Sequence, residues 1–297
     1  MILQGDATTV LRTLPGSSVQ MAITSPPYWN LRDYHIAGQL GLERSYEEYL
    51  TRLCTVFDEV KRVLRPDGTC WVNLADSYSG GGGTQKSPKV RYPKAQRLGE
   101  LNPAVPRCGI PRKSLCLIPF RFAAQMLRRG WLLRNVVIWH KPNVVPESVK
   151  DRFTLDFEYL FFFAKSPRYY FQQQFEPSTQ PLARRARPTR RNKRCVWAIP
   201  TKGFPGNHFA AYPEALLETP IAAGCPAGGV VLDPFLGSGT TAVVAEKLGR
   251  RWLGIELNPA YCDMAARRVA GVGANSAINW CNAMTRREGD GAISASE

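Results

Sequence analysis

The 297-residue chain carries 39 Lys and Arg against 24 Asp and Glu, a net charge of +15, with 44% hydrophobic and 21% charged residues. That length and balance support a folded core, and a basic excess of this size points to a polyanionic partner. No apolar stretch reaches the roughly 18 residues of a membrane helix, and the start Met1-Ile2-Leu3-Gln4-Gly5-Asp6 lacks the basic and apolar regions of a secretory signal, so a cytoplasmic protein without a membrane partner is expected.

In chain order, a strand over 2–4 ends at Asp6, a short helix covers 8–14, and an apolar run containing Val19, Met21, Ala22 and Ile23 predicts a buried strand. Thr24-Ser25-Pro26-Pro27-Tyr28-Trp29 stops that strand. Two prolines stiffen the backbone and remove N–H donors, which leaves carbonyls free to accept from a ligand. A hydroxyl before them and two aromatic rings after them make a cup suited to a flat ring bearing an amino group. Ser45-x-x-Glu48 has capping-box spacing, and the helix it starts places Tyr49, Leu53, Val56, Phe57, Val60, Val63 and Leu64 on one face. Pro66-Asp67-Gly68 predicts a turn before a strand over 69–74. A basic, Gly/Pro-rich insertion follows over 79–113. A helix over 119–127 stopped by Gly130 comes next, then a strand over 131–139 and a continuous apolar strand over 157–164, buried on both faces.

The charge is concentrated. Segment 86–113 holds eight basic residues and one acid, and segment 165–194 nine and one, so their net +7 and +8 account for the whole excess. Lys86, Lys89, Arg91 and Lys94 in the first, and Arg184, Arg185, Arg187, Arg190 and Arg191 in the second, are the candidate contacts to DNA or RNA, as phosphate neutralisation requires. The eight cysteines form no Cys-x-x-Cys pair, so no metal site is expected, and none follows a proline, which disfavours a nucleophile of the Pro-Cys kind.

Further on, Val230-Val231-Leu232-Asp233-Pro234-Phe235-Leu236-Gly237-Ser238-Gly239-Thr240-Thr241 reads as a strand ending in an acid, a Gly-x-Gly turn and a helix over 242–248. A second strand, Arg251-Trp252-Leu253-Gly254-Ile255-Glu256, ends in another acid. This is a mononucleotide-binding half of a doubly wound sheet, with Glu256 placed for ribose hydroxyls. No lysine adjoins Gly239, and Ala242 fills the third glycine position of a dinucleotide fingerprint. An acid at Asp233 suits a cationic amino-bearing ligand, and S-adenosylmethionine has that profile.

Ser-Pro-Pro-Tyr followed downstream by Asp-Pro-Phe-x-Gly-Ser-Gly-Thr resembles the β class of amino DNA methyltransferases, in which the catalytic motif precedes the cofactor motif. Gly5-Asp6, Trp139-His140-Lys141-Pro142-Asn143, Phe157-Glu158-Tyr159 and His208-Phe209-Ala210-Ala211-Tyr212-Pro213 extend the likeness. It implies a circularly permuted, Rossmann-like α/β fold with a mostly parallel sheet, helices on both faces and basic insertions. It also implies S-adenosylmethionine as cofactor and double-stranded DNA as substrate, with a homodimer and a cognate restriction endonuclease as partners. The implied organisation is a catalytic half over 1–78, the insertion loop over 79–113, more sheet over 114–164, a target-recognition region over 165–206, a cofactor half over 207–270 and a flexible tail over 271–297. The catalytic set is Ser25, Pro26, Pro27 and Tyr28. The cofactor set is Asp6, Asp233, Phe235, Gly237, Ser238, Gly239, Thr240 and Glu256, with Asp233 facing the methionine end. Helix capping is the competing role for Asp6, and structural roles are expected for His140 and His208. Serine at the first catalytic position resembles the N4-cytosine enzymes, with N6-adenine as the alternative. An inactive DNA-binding relative and an RNA or protein-amide methyltransferase are the remaining readings.

Overall fold

The computed structural model describes residues 1–80, 100–101, 109–144, 147–177, 190–201 and 212–272. Its elements are β1 (Ile2–Gln4), α1 (Ala7–Thr13), β2 (Val19–Thr24), β3 (Arg32–Asp33), α2 (Tyr46–Val63), β4 (Leu64–Leu74), β5 (Glu100–Leu101), α3 (Ile118–Arg128), β6 (Leu132–His140), β7 (Phe157–Ala164), β8 (Phe175–Pro177), β9 (Arg190–Asn192), β10 (Val196–Ala198), α4 (Glu214–Gly224), β11 (Val230–Asp233), α5 (Thr240–Lys247), β12 (Arg251–Glu256) and α6 (Pro259–Ala270). Among the described residues, no helix is long and apolar enough to cross a membrane.

Eight strands form one sheet in the order β1-β12-β11-β2-β4-β7-β6-β10. Every neighbouring pair is parallel except the two made by β7, which runs against both β4 and β6. The two-residue alternation of a strand divides its side chains between two cores. Val19 and Ala22 of β2, Val230 and Leu232 of β11, and Phe161 and Phe163 of β7 pack with α1, α2 and α3 on one face. Met21 and Ile23, Val231, and Leu160 and Phe162 pack with α4 and α5 on the other. A strand so placed has no solvent face, which is why β7 reads as an apolar run from Tyr159 onward, with the charged Glu158 near its start.

Local signals act as their chemistry demands. Ser45 caps α2 by accepting from the Glu48 N–H, and Gly130 ends the α3 segment at φ +75°. Two expectations are corrected. The Pro66-Asp67-Gly68 turn is absorbed into β4, which begins at Leu64 and meets β2 with a register shift between Val19 and Met21. The interval 165–206 is not wholly an insertion. Its β10 joins the main sheet beside β6, and Tyr170 and Gln172 bond the backbone at Asp67 and Ala223.

From β2 the chain crosses through α2 to β4 on one side, and from β11 through α5 to β12 on the other. The adjacent strands β2 and β11 therefore mark a topological switch point, where open α/β sheets form a crevice at their carboxyl edge.

Candidate active site

A cavity of about 370 Å³ lies at that carboxyl edge. Parallel strands deliver their C-terminal residues to one side, so Asp6 after β1, Ser25 after β2, Asn73 of β4 and Glu256 of β12 all line it. Because β6 is parallel to β4 and β7 antiparallel, Lys141 at the end of β6 and Glu158 at the start of β7 reach the same rim. The two motifs, far apart in the chain, thus wall one space. Ser25, Pro26, Pro27 and Tyr28 stand on one side, with Phe235, Gly237, Ser238, Thr240 and Glu256 on the other.

The proline segment is fixed from beneath. The buried Tyr49 of α2 donates to the Pro27 carbonyl at 2.8 Å, and Asn30 N–H bonds the Gly41 carbonyl. The Tyr28 hydroxyl donates to Glu158 Oε2 at 2.6 Å, and Ser25 Oγ donates to the Tyr28 oxygen at 3.3 Å. Burial first, and then the Glu158 carboxylate, hold the Tyr28 phenol well above its ordinary pKa. Glu158 is also ion-paired with Lys141, whose ammonium lies 4.7 Å from the Trp139 ring centroid. Trp29 turns away: it is buried, its indole N–H donates to the Glu43 carbonyl, and it lines a second cavity of about 230 Å³ behind Tyr28.

On the opposite wall, Glu256 accepts from the N–H groups of Gly237 and Asn258, both at 2.8 Å. Burial raises its carboxyl pKa and these bonds oppose the rise. The Gly237 N–H, at φ +54°, is therefore spent on a carboxylate. A phosphate-binding turn would aim such amides at its ligand, so the loop does not fit a pyrophosphate. Its carboxylates Glu256 and Asp6, together with the walls Phe235, Ile255, Leu257 and Tyr34, fit a nucleoside bearing cationic rather than anionic groups. Asp6 does double duty. It lines the cavity and caps α1, with Oδ1 accepting from the Thr9 N–H and hydroxyl at 2.9 Å each. Arg268 of α6 braces the turn by donating to the Ser238 carbonyl and hydroxyl and to Thr240 Oγ1.

Two cofactor-set residues stand elsewhere than expected. Asp233 does not line the cavity. It is 1% exposed, and its carboxylate accepts from the hydroxyls of Thr24, Thr241 and Tyr212 and from the Phe235 N–H. Burial pushes its pKa up while these donors pull it down. Strand-end acids with short hydroxyls nearby are consumed by those hydroxyls before any ligand arrives, and Thr24 and Thr241 were visible beside both motifs. Gly239, at φ +85°, also lies off the cavity. An added Cβ would sit 2.8 Å from Ala265 Cβ, so this glycine serves the packing of α5 on α6.

Of the candidate DNA contacts, Arg190 is exposed on β9. Arg191 is bonded to Glu176 at 2.8 Å, which Arg194 also meets, and so is not presented as a free cation. Lys86, Lys89, Arg91, Lys94, Arg184, Arg185, Arg187 and His208 lie outside the described residues. His140 faces Asp156 at 3.4 Å, away from the cavity lining. Sequence reasoning missed Asn73, Lys141 and Glu158 as site residues. The available signal was a charged residue at the very start of an apolar strand, Phe157-Glu158-Tyr159, and another just past the end of one, Trp139-His140-Lys141.

Residues 19–267 match a family model described as DNA methylase. The chain is similar to the type II methyltransferase M.Cfr9I of Citrobacter freundii, with 44% identity over 274 residues, 92% of this chain and 89% of that protein. It is similar also to M.SmaI of Serratia marcescens, with 40% identity over 270 residues and 90% of each chain covered. Among solved structures, the fold resembles the PvuII cytosine-N4-specific DNA methyltransferase, with TM-score 0.65, 23% identity, and 90% of this chain and 85% of that one covered. A modification methylase of Thermus thermophilus, TTHA0409, complexed with S-adenosyl-L-methionine, matches with TM-score 0.61 and 27% identity over 91% of this chain and 96% of that one.

Proposed function

The chain belongs to the N4/N6 family of amino DNA methyltransferases and uses S-adenosylmethionine, and from that premise we propose that it methylates the N4 amine of cytosine in duplex DNA. One observation carries the reading: Ser25 and Tyr28 share a cavity with the Gly237 turn and Glu256, so an amine and a methyl donor can be held within one space. When bound, S-adenosylmethionine supplies an electrophilic methyl group on a sulfonium sulfur. Glu256 would take the ribose hydroxyls, Asp6 the adenine amino group through the oxygen left after capping, and Phe235 would wall the turn.

The target amine is a poor nucleophile because its lone pair is delocalised into the ring. Acceptors that hold both amino hydrogens favour the pyramidal form, whose lone pair can face the methyl group. Ser25 Oγ and the Pro26 carbonyl would do this, and among the described residues no hydrogen bond engages that carbonyl. Rigidity supplies the rest, since the segment is set before the base arrives. Tyr28 would stack on the ring. The target nucleotide would be extruded from the duplex at about a few kcal/mol. Arg190 and the basic segments over 86–113 and 165–194 would offset that cost through phosphate contacts. Cytosine is preferred over adenine because serine, not an acid or amide, occupies the first catalytic position. The type II names of the relatives extend the reading to a paired restriction endonuclease, and the β-class likeness to a homodimer.

Nucleoside mass analysis of plasmid DNA treated with the protein and S-adenosylmethionine tests the assignment. N4-methylcytosine is expected, and N6-methyladenine without it would overturn the choice of base.

A further inference from the structure

We propose that Glu158 is a positioning residue and the terminal proton acceptor of the methyl-transfer reaction, connected to the target amine through Tyr28 and Ser25. The inference rests on the role of Ser25 and Tyr28 set out above and extends it to a carboxylate on a different strand. The direction of the hydrogen-bond chain is what carries it. A tyrosine hydroxyl has one hydrogen and two lone pairs. Tyr28 has two acceptors in reach, Glu158 Oε2 at 2.6 Å and Asn73 Oδ1 at 3.2 Å, and the shorter bond to the carboxylate takes the hydrogen. Its lone pairs are then left to accept from Ser25 Oγ at 3.3 Å.

Ser25 in turn has committed its own hydrogen inward, so toward the cavity it offers lone pairs only. A base presenting an amino group finds an acceptor there. One presenting a carbonyl at the same position, as uracil and thymine do, finds no donor and leaves a polar group unpaired. Glu158 thus sets the hydrogen-bond sense of a residue it does not touch. Glu158 and Lys141 are mostly buried, with side chains 13% and 17% exposed. The ion pair between them balances the carboxylate in a setting where a lone charge would be costly.

The same chain disposes of a proton. The nitrogen that has gained a methyl group holds one hydrogen too many and is strongly acidic. That proton passes to Ser25 Oγ as the Ser25 hydrogen moves to the Tyr28 oxygen and the Tyr28 hydrogen to Glu158 Oε2. Ser25 and Tyr28 end as they began, the methylated amine is neutral, and Glu158 is a neutral acid that returns its proton to water after product leaves. No other reactant is required. Burial keeps the phenolate form of Tyr28 unfavourable, so the phenol gives up its hydrogen only as it receives another.

Single-turnover methylation of duplex DNA, with S-adenosylmethionine binding measured by calorimetry, tests this. Glu158→Gln keeps the shape but removes the proton acceptor. Its rate should fall by about 10²- to 10⁴-fold, the range for a lost acid or base, while cofactor affinity stays within about threefold. Glu158→Ala should be similarly slow and should recover at least about tenfold with formate, a small carboxylate, but not with chloride at equal ionic strength; rescue of this kind exceeds a merely structural role. A Glu158→Gln rate within about threefold of the unaltered enzyme, or a cofactor-binding Glu158→Ala enzyme that ignores formate, overturns the proposal. Ser25→Ala, measured alongside, separates the two readings. A fully active Ser25→Ala enzyme sinks the amine clamp itself, whereas a slow one beside a fast Glu158→Gln enzyme sinks only the relay.

Discussion

The two walls of the cavity are built in opposite ways. Apart from Asp6 and Tyr34, the cofactor wall is one continuous stretch, β11, the glycine turn, α5 and β12, in which Glu256 reaches back 19 residues to the Gly237 amide. The target wall is gathered from four separated places: Ser25 and Tyr28 after β2, Asn73 in β4, Lys141 after β6 and Glu158 in β7. A contiguous site can be specified by spacing, because backbone turns alone bring its groups together. A dispersed site depends on strand order, and here on the reversed direction of β7, to bring a strand's first residue beside other strands' last ones. The first wall is a binding surface set by local geometry. The second is a hydrogen-bond chain whose sense depends on all its members.

One residue joins the two walls, and removing it should have the largest effect. Asp233 on β11 bonds Thr24, the residue before Ser25, at 2.6 Å and Thr241 of α5 at 2.5 Å. Asp233→Ala would leave three hydroxyls and an amide without their buried acceptor, at about 1–3 kcal/mol for each group that finds no substitute. A loss of about 3–5 kcal/mol in chemical denaturation is expected, with both cofactor binding and turnover impaired. Loss of cofactor affinity with unchanged stability would instead restore the direct ligand role that the sequence alone suggests.

Ser25→Ala should separate the walls. Methyl transfer should slow by about 10²-fold, the scale for loss of one preorganised group around developing charge, while S-adenosylmethionine affinity by calorimetry should be nearly unchanged. A parallel drop in affinity would show that the walls are not energetically distinct.

Gly239→Ala perturbs only the scaffold of the cofactor wall. The new Cβ would lie 2.8 Å from Ala265 Cβ and 2.9 Å from its Cα, at a φ that side chains disfavour. A cost of about 2–3 kcal/mol follows from overpacking and backbone strain. Adding Ala265→Gly should recover part of it in thermal or urea unfolding, and the double variant should show a positive coupling. Equal instability of the single and double variants would mean that the backbone angle, rather than the α5–α6 contact, demands glycine.

The contrast also explains what could be read from the chain. Seven of the eight strands of the sheet, the Ser45 cap and the Gly130 stop follow from period, capping chemistry and turn chemistry, and the Gly-x-Gly turn declared the cofactor wall, whereas β10 lay in an interval read as a target-recognition region. Asp233 and Gly239 were found by the same motif but given the wrong neighbours. Spacing places a residue at a strand end or a turn, yet whether it faces a ligand or a packed helix is decided by Thr24, Tyr212 and Ala265, which arrive from elsewhere. Glu158 and Lys141 lie within segments that extend the family likeness, yet nothing in either segment marks the two as partners. Their meeting is set by strand pairing across β6 and β7, which no periodicity reports.

The smallest expected effect is also the sharpest test of the division. Glu256→Gln keeps the size of the side chain and can still accept from one of the two amides, Gly237 or Asn258, through its remaining oxygen. It loses the negative charge and replaces one acceptor with a donor, which leaves one backbone N–H facing another N–H. Bonds to a charged acceptor are worth roughly twice neutral ones, and two are weakened together with any bond to ribose hydroxyls. S-adenosylmethionine should therefore bind about tenfold more weakly, equivalent to about 1.4 kcal/mol. Once the cofactor is saturating, the single-turnover rate should return to within about threefold of the unaltered enzyme, because Ser25, Tyr28 and Glu158 are untouched. A rate that stayed low at saturating cofactor would mean that the Gly237 turn also aligns the reacting atoms, and the two walls would then have to be treated as one device.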